Sequence, residues 1–251
     1  MKTGATLFID GHIAETISIP EGTTSIGRYA FYGCKSLKSV AIPEGVTTIN
    51  EYAFEGCSNL TRVTVPKSLT NIAYGAFNYC LSLKEVYAHD LESWLAIRMN
   101  SNPLGNGAAL YIDGRKVESM NIPADTEKIG ISAFRGCDSL TDVTIPECVT
   151  SISEYAFADC NSLKSITILG GELYVAENAF KSCNKLDHLS VPQKSFKIKE
   201  KAFGDSLPNS LIPLLKLAID SKATRSTALL LNYKNEHFPE FAEVEEFTLD
   251  W

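Results

Sequence analysis

In Leu37-Lys38-Ser39-Val40-Ala41-Ile42-Pro43, apolar and polar residues alternate. A period of two marks a strand with one face buried. Pro43 has no N–H to give to a sheet ladder and ends the strand, and Glu44-Gly45 turns the chain. The β-branched stretch Thr47-Thr48-Ile49 reads as a second short strand. Residues 51–57 are too few for several helical turns and read as one turn of α- or 3₁₀-helix.

This pattern recurs. An Ala-Phe pair ends at Phe31, Phe54, Phe77, Phe134, Phe157, Phe180 and Phe203, at intervals of 23, 23, 57, 23, 23 and 23 residues. Three residues after each of the first six Phe stands a Cys (34, 57, 80, 137, 160, 183), and three further on a Leu. Five residues before each Phe stands an aliphatic, Ile26 and Ile49 among them. One such unit cannot bury its apolar side alone, whereas stacked units can, so one repeat per coil of a solenoid is expected. Its strands pair in parallel at ~4.8 Å, and equivalent Phe, Leu, Ile and Cys residues form ladders.

A longer period lies over the short one. Ala5-Thr6-Leu7-Phe8-Ile9-Asp10-Gly11 returns 103 residues later as Ala108-Ala109-Leu110-Tyr111-Ile112-Asp113-Gly114, and about half of positions 5–60 match their counterparts. Each Asp-Gly pair lies between apolar stretches and reads as a hairpin turn. We expect a solenoid over 1–206, built of two ~103-residue blocks with an irregular segment at 88–116. Within that segment Asp90 is a candidate helix N-cap. Leu91, Trp94 and Leu95 share one helical face, which Trp94 packs over the solenoid. Residues 211–219 and 227–231 lack alternation and read as helices, so 207–251 is expected to be a helical C-terminal cap with an acidic tail. No equivalent cap is visible at the front. An open first coil exposes unpaired backbone, so either a fragment of a longer protein or end-to-end self-association is expected.

Read from Ile26 to Ile49, the chain runs Ile-Gly-x-Tyr-Ala-Phe-x-Gly-Cys-x-Ser-Leu-Lys-x-Val-x-Ile-Pro-x-Gly-Val-Thr-x-Ile. This resembles the BspA-like, treponemal-type leucine-rich repeat, and the resemblance covers residues from about 5 to 206. It implies an α/β repeat solenoid, a right-handed leucine-rich-repeat superhelix with a parallel β-sheet and short helical turns in each coil. Many such proteins are bacterial surface or secreted proteins proposed to bind extracellular matrix or other cells. The implied role is adhesion or binding rather than catalysis, and no catalytic residues carry over. The chain departs from the pattern at His89 and Leu169, which replace Pro, at Cys148, which replaces the turn Gly, and at Ser206, which replaces the seventh Cys.

Composition adds limits. Of the 251 residues, 45% are apolar and 21% charged, ordinary globular values that rule out disorder of the whole. The net charge of -7 argues against nucleic acid as a partner. No apolar run approaches the ~20 residues of a membrane-spanning helix. The N-terminus has no basic patch before an apolar stretch. Met1 as the native start would mean a cytoplasmic protein, and a removed leader a surface or secreted one.

The laddered cysteines read chiefly as buried, inert thiols, with disulfides or a metal as alternatives, and Cys148 as the exposed, reactive one. Cys-x-x-Cys pairs, the usual zinc signature, do not occur. Gly105-Asn106-Gly107 lacks the rest of a phosphate loop. His89-Asp90 with nearby Ser82 and Ser93 is no triad on sequence proximity alone. The reading is therefore no enzyme, no cofactor and no metal. Outward strand positions are mostly small and polar, and Arg62, Glu85, Tyr87, Asp142 and His188 are their distinctive members. These five are the candidate binding residues for a protein or glycan partner. An intracellular scaffold or regulator is the alternative, favoured by unpaired thiols.

Overall fold

In a computed structural model the chain forms stacked coils of short strands. The structure describes residues 8–9, 12–170, 173–190, 196–199, 201–204 and 246–248. The chain divides into two compact units, Met1–Val117 and Glu118–Trp251. The division falls ten residues into the second copy, which opens at Ala108 and in which Glu118 is the counterpart of Glu15.

In the first unit β1 (Phe8–Ile9) pairs antiparallel with β2 (His12–Ile13). Each following coil gives one strand to each of two sheets: β3 (Thr16–Ser18) and β4 (Ser25–Ile26), β5 (Ser39–Ala41) and β6 (Thr48–Ile49), β7 (Arg62–Thr64) and β8 (Asn71–Ile72). β9 (Glu85–Ala88), α1 (Leu91–Leu95) and β10 (Arg98–Met99) complete a fourth coil. The strands pair in parallel and in register, with Ile17 opposite Val40 and Val40 opposite Val63. Alternate residues therefore share a face: Val40 and Val63 are buried, while Ala41 and Thr64 face out.

The irregular segment stays within the stack. Arg98 of β10 lies opposite Asn71, and β11 (Ala109–Ile112) follows β9 with Ala109 opposite Glu85. The added residues fold as α1, whose Asp90 carboxylate accepts a hydrogen bond from the Ser93 N–H at 2.7 Å. Trp94 is fully buried, as its place on the helix face predicts. β12 (Arg115–Lys116) then folds back antiparallel on β11 through Asp113-Gly114, both in the left-handed region. That is the hairpin expected of an Asp-Gly pair.

The second unit repeats the scheme with β13 (Ser119–Asn121), β14 (Lys128–Ile129), β15 (Asp142–Ile145), β16 (Ser151–Ile152), β17 (Ser165–Ile168), β18 (Leu173–Val175), β19 (His188–Ser190) and β20 (Phe196–Lys199). From the acidic tail, β21 (Glu246–Thr248) adds antiparallel to β20 with Glu246 opposite Lys199. In each unit an antiparallel strand thus ends a parallel ladder, which blunts an edge open to further pairing. The rest of the expected helical cap, 207–245 and 249–251, lies outside the described residues.

Both cores are ladders. Phe31, Phe54 and Phe77 stack at 5.1 and 5.3 Å between centroids. Phe134, Phe157, Phe180 and Phe203 do so at 5.2, 5.4 and 5.6 Å. All seven cysteines are free, six of them buried and Cys148 half-buried. The Cys57, Cys80, Cys160 and Cys183 thiols each donate to the Phe carbonyl of the preceding coil, at 3.1 Å. Cys34 and Cys137, in the first coil of each unit, meet Ser36 and Ser139 instead.

The segment around each Phe differs from the single helical turn expected. In residues 51–57 alternate N–H groups bond in two directions. Ala53, Glu55 and Cys57 donate three residues back, while Tyr52, Phe54 and Gly56 donate to Tyr74, Ala76 and Asn78 of the next coil. Tyr52 (φ 59°) and Gly56 (φ 73°) are left-handed, which no α-helix accommodates. Coil-to-coil bonding captures the donors a helix would keep for itself. Among the described residues α1 is the one α-helix.

Candidate binding surface

The outward face of the first unit's longer sheet carries the densest set of distinctive side chains. Parallel register puts Arg62 beside Glu85 and Thr64 beside Tyr87, and it puts Tyr87 beside Tyr111. The Arg62 guanidinium meets the Glu85 carboxylate through Nε at 2.7 Å and Nη2 at 2.6 Å. It also lies 5.1 Å from the Tyr87 ring centre, and Tyr87 stacks on Tyr111 at 4.5 Å. The Tyr87 hydroxyl donates to the same Glu85 oxygen at 3.4 Å. Desolvation, and then the adjacent Glu85 charge, push the Tyr87 phenol pKa up. The result is a cation held between a carboxylate and an aromatic face, with two rings beyond it.

An open groove of about 540 Å³ runs beside this cluster, with Glu15, Lys38, Thr61, Arg62, Lys84 and Glu85 among its lining residues. Lys38 is neutralised by Glu15 at 2.7 Å. Lys84 has no carboxylate within 4 Å among the described residues. Exposed ion pairs of this kind contribute ~0–1 kcal/mol to stability, so they are dispensable to the fold and available to a partner.

At the far corner of the coils the charges serve local structure. The Glu44 carboxylate accepts from the Lys67 and Ser68 N–H groups of the next coil, which holds its pKa low. Asp90 caps α1 and meets both Lys67 (3.2 Å) and His89 (3.0 Å). Among the described residues no group of three or more His, Cys, Asp or Glu could hold a metal.

A family model for the BspA type leucine rich repeat region matches residues 2–94 and 108–222, in six copies. The chain belongs to the BspA-type leucine-rich repeat family. Members of this family are repeat scaffolds rather than enzymes. No curated protein matches the chain. Among solved structures it is similar to a T. pallidum leucine-rich repeat protein, at 26% identity and TM-score 0.44, over 68% of this chain and 78% of that one. A Bacteroides ovatus leucine-rich repeat protein is 25% identical with TM-score 0.46, over 77% of this chain and 53% of that one. A leucine rich cell surface protein of Faecalibacterium prausnitzii is 21% identical with TM-score 0.36, over 88% of this chain and 66% of that one. Family membership rests on the repeat match.

Of the five candidate residues, the structure brings Arg62, Glu85 and Tyr87 into one cluster. Asp142 and His188 belong to the second unit, two coils apart with Ser165 between them in register. Asp142 accepts from the Thr141 hydroxyl at 2.7 Å, and Asp142 and His188 are both exposed. Sequence reasoning missed Tyr111 and Lys84. Tyr111 carried a readable signal: as the counterpart of Phe8 it opens the hairpin that follows β9, one coil beyond Tyr87. Among the described residues no helix is long and apolar enough to cross a membrane.

Proposed function

We propose that this protein is a non-catalytic binding module of the adhesion type, presenting the Arg62–Glu85–Tyr87–Tyr111 face and its groove to a protein or glycan. The supporting observation is preorganisation. Parallel register holds Arg62 on Tyr87 before any ligand arrives, which lowers the entropy lost on binding. Arg and Tyr are also the residue types that dominate interface energetics. Asp142 and His188 form a lesser patch on the second unit. The full reading includes the right-handed course of the superhelix, a helical cap with an acidic tail over 207–251, end-to-end self-association and a place on a bacterial surface.

An intracellular scaffold is the second reading, favoured by seven cysteines of which none is in a disulfide. Pull-downs and glycan arrays with wild-type protein and Arg62→Ala/Tyr87→Ala separate the two. A matrix protein or glycan bound by the wild type and lost in the variant carries the first reading. A blank array with a specific cytosolic partner recovered carries the second.

A further inference from the structure

On the turn side of the first three coils lies another surface, built of tyrosines. Tyr32 meets Tyr29 at 5.6 Å, Tyr29 stacks on Tyr52 at 5.2 Å, and Tyr52 meets Tyr74 edge-on at 5.8 Å. Tyr29, Tyr32 and Tyr74 are 48%, 47% and 61% exposed, unusual for large rings in a row. The Arg28 guanidinium lies 5.1 Å from the Tyr29 ring centre and 5.9 Å from that of Tyr52. No carboxylate among the described residues pairs with it, whereas Arg62 and Arg135 each have one.

The internal duplication supplies a control. At the same places the second copy has Ile131 for Arg28, Ser132 for Tyr29, Arg135 for Tyr32 and Glu177 for Tyr74. Tyr155 alone keeps its ring, and Arg135 covers it at 5.3 Å while tied to Asp159 at 3.0 Å. Yet the backbone is the same: Tyr29 and Ser132 have φ 59° and 57°, Tyr52 and Tyr155 59° and 57°. The coil therefore folds without the tyrosines. Two of them, Tyr29 and Tyr52, occupy a left-handed conformation that Gly or Asn adopts with less strain. At the third equivalent position Gly75 (φ 71°) leaves room for the neighbouring ring, because a Cβ there would sit 2.5 Å from Tyr52.

We infer that this ladder is a second binding surface, distinct from the sheet face, and that it takes an extended acidic segment of a partner protein. Its carboxylate pairs with Arg28, and its backbone and apolar side chains lie along Tyr32, Tyr29, Tyr52 and Tyr74. The unpaired guanidinium selects the charge, and a carboxylate is the side chain that matches its fork in two hydrogen bonds. Tyrosine offers wide amphipathic area at little entropic cost, which suits peptide backbone. The three ring-to-ring steps span about the length of five extended residues at ~3.3 Å each.

Panning the full chain against a random dodecapeptide display library tests this. Enrichment of peptides with two or more Asp or Glu is expected. A synthetic copy of the strongest should bind at least tenfold more weakly to Tyr29→Ser/Tyr74→Glu, and at least fivefold more weakly to Arg28→Ile. These substitutions install the second copy's residues, so unchanged thermal unfolding is the expected folding control. Binding to Arg62→Ala should be unchanged. Enrichment of neutral or basic peptides, no enrichment at all, or equal binding to the tyrosine variants overturns the inference. Loss with Arg62→Ala alone assigns the peptide to the sheet face and also overturns it. A glycan array signal that vanishes with the tyrosine variants makes the occupant a glycan and refutes the acidic segment.

Discussion

Phe157→Ala is the sharpest probe of the coil stacking. Phe157 is fully buried, with Phe134 at 5.2 Å on one side and Phe180 at 5.4 Å on the other, its ring nearly parallel to both. Truncating a buried Phe costs ~3–5 kcal/mol through lost transfer energy and the cavity left behind. Two aromatic neighbours, each worth ~0.5–1.5 kcal/mol beyond area, place this site at the upper end. Phe203 is 7% exposed and has one stacked neighbour, at 5.6 Å and 24°, so Phe203→Ala belongs at the lower end. Thr144 lies on the outward face of β15, and Thr144→Ala should shift stability by under ~0.5 kcal/mol. Urea unfolding read by circular dichroism gives all three from midpoints at a common slope. Losses for Phe157→Ala and Thr144→Ala within ~1 kcal/mol of each other would refute both the facing and the ring ladder.

Alkaline pH should unfold the protein through its thiols. Burial pushes Cys80 and Cys183 up to about 12 and raises Cys57 and Cys160 as well. A raised folded-state pKa gives stability that is whole below the unfolded value of ~8.5 and lost as pH climbs toward the folded one. Four such thiols together cost on the order of 5 kcal/mol per pH unit above about pH 9. Urea midpoints that stay level from pH 8.5 to 10.5 would contradict this, and Cys80→Ala/Cys183→Ala should halve the slope. A thiol reagent at neutral pH should label Cys148 alone in the native protein, and all seven cysteines only in denaturant. Asp90→Ala should cost ~1 kcal/mol as α1 loses its cap. The Ser93 N–H holds the Asp90 carboxyl below its usual range, so its contribution is present above pH ~4 and fades as pH falls further. Gly75→Ala should cost ~1–3 kcal/mol, from left-handed strain and from the displaced Tyr52 ring; a melting temperature unchanged from wild type would count against the tight fit.

Much of the architecture was legible because ladder positions obey a period. Phe54, Cys57, Leu60 and Val63 are buried where the spacing puts them, and the Asp113-Gly114 hairpin and the packing role of Trp94 follow from local chemistry. The helical turn was misread because nothing local shows where a backbone N–H will go. Around Phe54 half the donors find carbonyls in the next coil, and that choice exists only once coils are stacked. The candidate site was half legible for the same reason. Arg62, Glu85 and Tyr87 share a face by alternation, while the stack of Tyr87 on Tyr111 depends on a strand that arrives after α1 and β10.

The amino-acid pattern alone determined the coil: its length, its buried positions and its membership of a repeat family, since each depends on residues near one another in the chain. Tertiary structure decided what only contact between coils can. It divided the chain at Val117 and Glu118, closed two ladders with antiparallel strands, and gathered the Tyr29–Tyr52–Tyr74 surface from residues 22 or 23 positions apart. The physical reason is that a single coil has no partner for half its backbone or its apolar face, so its neighbours choose the bonds and the exposed rings.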